Sequence, residues 1–413
     1  MGLDLGLESV GLAPTLAVEW DKWCCATIRK NRPELTVLEG DVSKISGDQL
    51  RHLRKFDGEV FALVGGPPCQ SFSPGGNRAA ISDPRGNLIY EYLRLIGEIK
   101  PRFFVLENVA NLITAALKHR KIEDRPGKRW NLSSYSNAGF SGKVPEDDKE
   151  PLSAEEQAGS AIRQILNDVR QLGYAFKFQV VDAAAFGAPQ HRLRFILCGA
   201  RETVVPELPK ASHGTLESGL QPWMTLKDVI YSLRESPGVH SEYTESVAKF
   251  FRMIPPGGYW KSLPIEMQRQ ALGGSFSSGG GKTGFFRRLS YEQPAPTVTT
   301  KPNRKGTSMC HPEFVRPISV RECARIQGFP DNWHFTGAMN QQYQQIGNAV
   351  PTYLGVAVGQ ALLAAEKAKK GSRSAIPKPV EVETMLHEAT SFLRSKARNK
   401  RGRTEGEDLF SAA

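Results

Sequence analysis

Along the first 200 residues, short apolar runs alternate with amphipathic stretches. Leu16-Ala17-Val18 runs into Glu19, and Thr36-Val37-Leu38 runs through Gly40 to Asp41. Val60-Phe61-Ala62-Leu63-Val64 runs into Gly65-Gly66, and Phe103-Phe104-Val105-Leu106 into Glu107-Asn108. Helical spacing fills the intervals at 21–30, 87–99 and 154–172. Continuous apolar strands separated by helices predict a doubly wound α/β fold around a parallel sheet buried on both faces. Each of these four strands ends in a glycine or an acid. Open α/β sheets bind ligands at the carboxyl ends of their strands, so chemistry is expected there.

The rhythm then changes. Residues 118–153 are polar and turn-rich and read as a long surface insertion. From 201 onward Pro, Gly and Ser rise, and the stretch 273–290 is loop-like, with Lys282, Arg287 and Arg288 beside Phe285 and Phe286. The expected organisation is a main domain of 1–200 plus 345–365, a smaller and irregular domain at 201–330, and a basic, mobile tail at 366–413. Within that tail, 382–393 is a short helix candidate, and SKARNKRGR places five basic residues in nine.

Composition adds a partner class. Lys and Arg number 54 against 43 Asp and Glu, a formal charge of +11. A basic surplus favours polyanions, nucleic acid first, although a cationic surface kept for solubility accounts for the number equally well. No apolar run approaches the roughly 18 residues of a membrane span, and the first residues lack a secretory pattern. A cytoplasmic protein without a membrane partner is expected. The six cysteines form no C-x-x-C pair, so structural zinc is not expected and free thiols are.

One thiol stands apart. The predicted strand before Cys69 ends in two glycines, which let the backbone turn sharply, and Pro67-Pro68 then fix the chain. Gln70, Ser71 and Ser73 follow in what reads as the first turn of a helix, where unpaired amides favour a thiolate. A strand end, a rigid dipeptide and polar followers suit a reactive cysteine better than a packed one.

The segment Gly65-Gly66-Pro67-Pro68-Cys69-Gln70-Ser71-Phe72-Ser73 resembles the catalytic motif of the DNA (cytosine-5)-methyltransferases, bacterial in type. Glu107-Asn108-Val109 resembles the family's ENV motif, and Gln190-His191-Arg192-Leu193-Arg194 its Q-x-R-x-R motif. Arg321 to Asp331 resembles its late helix and loop, and Gly347-Asn348-Ala349-Val350-Pro351 its closing motif. These segments occur in the family's order over residues 1 to about 365, which leaves little room for chance.

The resemblance implies a Rossmann-like methyltransferase domain that uses S-adenosylmethionine, with 201–330 as target recognition domain. Cytosine carbon 5 is a poor nucleophile until a thiolate adds to carbon 6, and Cys69 is the candidate thiolate. Glu107 is expected to protonate or hydrogen-bond N3 of the base. Arg192 and Arg194 alternate with His191 and Leu193, so both guanidinium groups should share one strand face. The resemblance implies that they order the site with Gln190, with Arg194 nearest the cytosine O2. Glu19 is expected on the cofactor ribose, Trp20 on adenine and Asp41 on the adenine amine, with Val42, Pro67, Leu88, Asn348 and Val350 as further lining positions. Ser73 is expected on the substrate side, and Lys282, Arg287 and Arg288 at phosphates or base edges. A base buried in a duplex cannot reach Cys69, so the target cytosine must flip out.

The family begins with a strand and an F-x-G-x-G loop, and the present chain starts just after that point. The first strand and its glycine loop are therefore expected to be missing. A catalytically silent DNA-binding relative is the alternative this leaves open, and a tRNA cytosine methyltransferase is a second. The expected partners are duplex DNA and a restriction endonuclease acting on the same site, with the methyltransferase itself monomeric.

Overall fold

The computed structural model describes residues 1–54, 57–68, 88–118, 120, 151–277, 282–368 and 371–410. Two compact units share them. The first takes in residues 1–41, 182–192 and 208–361, the second residues 42–181, 193–207 and 362–413.

The second unit holds a four-stranded sheet built from β3 (Ala62–Gly65), β4 (Phe103–Val109), β5 (Ala175–Asp182) and β7 (Leu193–Ala200). Their order is β3–β4–β7–β5. Strands β3 and β4 are parallel, with Ala62 opposite Phe103 and Gly65 opposite Leu106. Strand β7 runs antiparallel to β4, so the expectation of a wholly parallel sheet is corrected here. An apolar run marks a buried strand but carries no information on its direction. The core beneath the sheet is apolar throughout: Phe104, Leu106, Phe195 and Leu197 meet Ile89, Leu93 and Ile96 of helix Leu88–Ile99. Ile162, Ile165, Leu166 and Val169, at helical spacing on Ser160–Gln171, complete it. Each such side chain contributes roughly 1.5–3 kcal/mol by leaving water.

Residues 366–413 do not form the mobile tail expected. A helix, Pro379–Phe410, buries Val382, Leu386 and Ala389 in this same core, with Met385, Phe392 and Leu393 packed against it. Arg163 binds both carboxylate oxygens of Glu383 at 2.7 and 2.8 Å, at the edge of the contact. Most of the 118–153 insertion lies outside the described residues.

The first unit contains the parallel pair β1 (Leu16–Glu19) and β2 (Thr36–Glu39), in which Glu19 stands opposite Glu39. Asp21 caps the following helix, Lys22–Asn31, by accepting from the Trp23 and Cys24 amides. Two apolar clusters organise the rest, one around Trp333, Tyr343 and Ile346, the other around Phe250, Phe251 and Phe286. The stretch 339–366 is long and apolar enough to cross a membrane by composition, and more than half of it is buried. It is two helices, Met339–Asn348 and Thr352–Glu366, separated at 349–351 before Pro351.

A buried polar knot lies between those clusters. Arg316 grips Glu322 through two bonds of 2.8 and 2.9 Å, and Glu322 also closes a capping box with Ser319. His311 is fully buried beside them, and its Nδ1 accepts from the amides of Glu313 and Phe314, both at 3.1 Å. Its Nε2 faces Tyr291 Oη at 3.3 Å and Glu322 at 3.5 Å. Charging this ring would cost both backbone bonds, and burial pushes its pKa down from 6.5 to about 4. The unfolded chain therefore binds the extra proton first, so stability should fall as pH drops from about 6.5 to about 4 and level off below. Denaturant titrations across that window should show the slope, and His311→Gln should flatten it.

Candidate active site

The second unit brings three of the sequence motifs together. Strand β3 ends at Gly65-Gly66, directly over β4. A Cβ on Gly66 would stand 2.9 Å from Oε2 of Glu107, and one on Gly65 would stand 2.7 Å from the Tyr92 ring. Both positions need glycine because the backbone passes too close to its neighbours for a side chain. Tyr92 Oη lies 2.9 Å from the Leu63 carbonyl and 2.8 Å from that of Val105, and shares its one proton between β3 and β4. Asn108 donates from Nδ2 to the Pro67 carbonyl at 3.0 Å while its Oδ1 accepts from the Val109 amide. The ENV motif thus holds the start of the segment that leads into Cys69. Cys69, Gln70, Ser71 and Ser73 lie outside the described residues.

Glu107 is buried, and Nε of Arg194 meets its Oε1 at 2.6 Å. Arg194 stands opposite Val109 in the β4–β7 ladder, which makes it the diagonal neighbour of Glu107 on one face of the sheet. Burial pulls the Arg194 pKa down from its usual value, and Glu107 opposes that pull. A buried carboxylate and guanidinium in contact keep each other charged where either alone would be costly.

Arg192 goes elsewhere. The chain leaves the short strand β6 (Gln190–His191) at Arg192 and enters β7 at Leu193, so 190–194 is not one continuous strand. The expectation that Arg192 and Arg194 share a face is corrected: Arg192 is buried and donates to the carbonyls of Val298 at 3.1 Å and Gly347 at 2.9 Å. Gln190 works beside it. Its Nε2 donates to Ile326 O and Gln327 Oε1, and its Oε1 accepts from the Val298 amide. Gln327 passes the chain on to the carbonyls of Ile346 and Ala349. These amides join the Q-x-R-x-R, late-helix and closing motifs into one interior lattice. Gln327 was not singled out in the sequence, and its position one turn past the Arg321 helix was the available signal.

The basic cluster is also corrected. Arg288 spreads its guanidinium over the carbonyls of Phe251, Ile254, Pro312 and Glu313. Lys282 donates to the Phe276 carbonyl and Arg287 to that of Thr283. Each cation is engaged by carbonyl oxygens of its own unit, so none is presented as a ready reader of bases or phosphates.

Residues expected at the cofactor fall in both units. In the first unit, Glu19 Oε1 accepts from the Trp20 and Asp21 amides at 2.9 and 3.0 Å, which fixes the carboxylate at the end of β1. Trp20 is 74% exposed beside it, and exposed Asp41 follows the end of the adjacent β2. An indole left in water next to fixed acids suits a ligand with a flat heteroaromatic ring and hydroxyl groups. Asn348 is exposed and Val350 half-buried in the same unit, while Val42, Pro67 and Leu88 are half-buried in the other.

The five described cysteines are free. Burial pushes Cys24, Cys198 and Cys310 up to about 12 and Cys25 to about 11, and raises Cys323 well above its usual value. None of the five is a thiolate near neutral pH.

The family profile of C-5 cytosine-specific DNA methylases matches residues 1–123 and 152–364. The chain belongs to that family. Among its relatives, Type II methyltransferase M.Eco47II of Escherichia coli is 38% identical over 368 residues, which is 88% of this chain and 76% of the relative. Type II methyltransferase M.Sau96I of Staphylococcus aureus is 35% identical over 88% of this chain and 73% of its own length. A prophage-encoded Escherichia coli structure described as a DNA modification methyltransferase superposes with a TM-score of 0.54 at 23% identity. It covers 88% of this chain and 96% of that one, and supports the fold alone. This DNA cytosine-5-methyltransferase takes its methyl group from S-adenosylmethionine, as the family does.

Proposed function

We propose that the enzyme methylates carbon 5 of a flipped-out cytosine within a specific duplex sequence, through a covalent bond between Cys69 and carbon 6. What carries this reading is the buried Glu107–Arg194 pair beneath Gly66, three residues before Cys69 in the chain. Thiolate addition forms the S–C6 bond and moves the C5–C6 electron pair toward C4 and N3. Glu107 meets the charge at N3 with a proton or a hydrogen bond, and Arg194 holds Glu107 in place and offers donors to O2. Bound S-adenosylmethionine supplies an electrophilic methyl on a sulfonium. Loss of the carbon 5 proton to a base then restores the C5–C6 double bond and expels the Cys69 thiolate.

Arg192 and Gln190 act at a distance as positioning residues, since their hydrogen bonds end on other motifs. Glu19, Trp20 and Asp41 bind the ribose and adenine in this reading, with Val42, Pro67, Leu88, Asn348 and Val350 around them. Residues 201–330 read the target through loops other than 282–291, and Gln190 and Ser73 face the substrate side. The names of the Type II relatives support a place in a restriction–modification pair, with a monomeric methyltransferase and a separate endonuclease.

Duplex DNA carrying 5-fluorocytosine at the target position tests the covalent step. Fluorine cannot leave as a proton does, so with cofactor present the protein should become bound to DNA in a form that survives denaturant, with the adduct mapped to Cys69. Methylation of ordinary DNA without any such adduct would overturn the covalent route.

A further inference from the structure

We infer that the C-terminal helix is a second DNA contact: its first half anchors it to the protein, and residues 394–403 grip duplex backbone outside the reading site. The segment lies beyond the family match, which ends at 364. Helix Pro379–Phe410 is continuous over 32 residues, and its apolar positions Val382, Met385, Leu386, Ala389, Phe392 and Leu393 pack on the core of the second unit.

The register of that face is what points to a partner. Counting on from 389 and 393 in steps of three and four, the core-facing stripe reaches 396, 400 and 403. Those positions are Lys396, Lys400 and Arg403. The stripe that begins as core ends as three cations. Arg394, Arg398 and Arg401 form a second stripe on the opposite side at the same spacing. Between Glu388 and Glu405 there is no acidic residue, so six positive charges occupy ten positions without internal neutralisation. At 1.5 Å per residue this is roughly 15 Å of helix. Duplex DNA carries a phosphate charge about every 1.7 Å of axis, so a segment of this length and charge matches several phosphates.

A helix that only closed the core would gain nothing from continuing past Leu393, since a run of like charges repels itself. The substrate of this enzyme is itself a polyanion, which supplies the missing counter-charge. Contacts of this kind carry no sequence information. They add affinity and salt dependence equally on all duplexes.

The inference rests on DNA being the substrate, and its test separates the two. The full-length chain with Lys396, Arg398, Lys400, Arg401 and Arg403 all changed to Gln keeps helix propensity and leaves Val382 to Leu393 untouched. Binding to cognate and scrambled duplexes is titrated at several salt concentrations, alongside turnover at saturating DNA. The slope of log K against log salt should become shallower by about 0.9 for each phosphate the helix ceases to neutralise, by roughly two to five in total, and equally on both duplexes. Turnover at saturating DNA should stay within twofold. A control that exchanges each Lys for Arg and each Arg for Lys keeps the charge and should keep the slope. An unchanged slope in the Gln variant, or a weakening confined to the cognate duplex, would overturn the inference. Absence of any methyl transfer by the unaltered chain would instead overturn the function proposed above.

Discussion

Cys69→Ser should abolish methyl transfer, by on the order of 10⁴-fold or more, while DNA binding persists. A serine alkoxide is far harder to form near neutral pH than a thiolate, and the addition to carbon 6 requires the anion. No other described thiol can take over, because burial holds all five far above the range in which a thiolate forms. Tritium transfer from labelled cofactor, read beside gel-shift affinity, separates loss of chemistry from loss of binding. A serine enzyme within tenfold of the original would remove Cys69 from the role of nucleophile.

Glu107→Gln is expected to lower turnover by roughly 10²–10⁴. Glutamine keeps the shape and one hydrogen bond to the base, but it can neither hold the ion pair with Arg194 nor deliver a proton. Cofactor affinity should change little, since Glu107 is spent on Arg194 and lies against Gly66 rather than at the acids of β1 and β2. Single-turnover rates, with cofactor affinity measured by calorimetry, give the split. Unaltered turnover would place the acid on another side chain.

The parts legible in the sequence are those written in local pattern. Apolar runs closing on Gly or an acid mark β1 to β4, because a buried strand must be apolar and its turn must free the backbone. Glu107 and Asn108 are readable as the end of such a run. Arg192 is not, because a period of two does not persist from 190 to 194: the chain changes strand at Arg192 and sends the guanidinium to carbonyls of Val298 and Gly347. Arg288 escapes for a related reason. Charge is visible in a sequence, but four backbone oxygens from 251, 254, 312 and 313 that enclose it are not. The final helix is hidden by composition: a polar, basic stretch masks the three apolar positions, Val382, Leu386 and Ala389, that insert into a core built mostly from residues 89–197.

The path of the chain between the two units bears on how the protein is made. It crosses from the second unit to the first at Asp182, returns at Leu193, and crosses again near 208 and 361. Each unit is therefore assembled from three separate lengths of polypeptide, and neither is whole until the ribosome has passed residue 361. The core that Ile162 and Phe195 begin waits for Val382 and Leu386, which are translated some two hundred residues later. A nascent chain of this design spends most of its synthesis with unfinished apolar surface, and its rate of maturation is set by long-range closure rather than by local helices. Arrested translation products ending near residue 360 should stay protease-sensitive in the second unit, and dependence on chaperones should be greatest in that same interval.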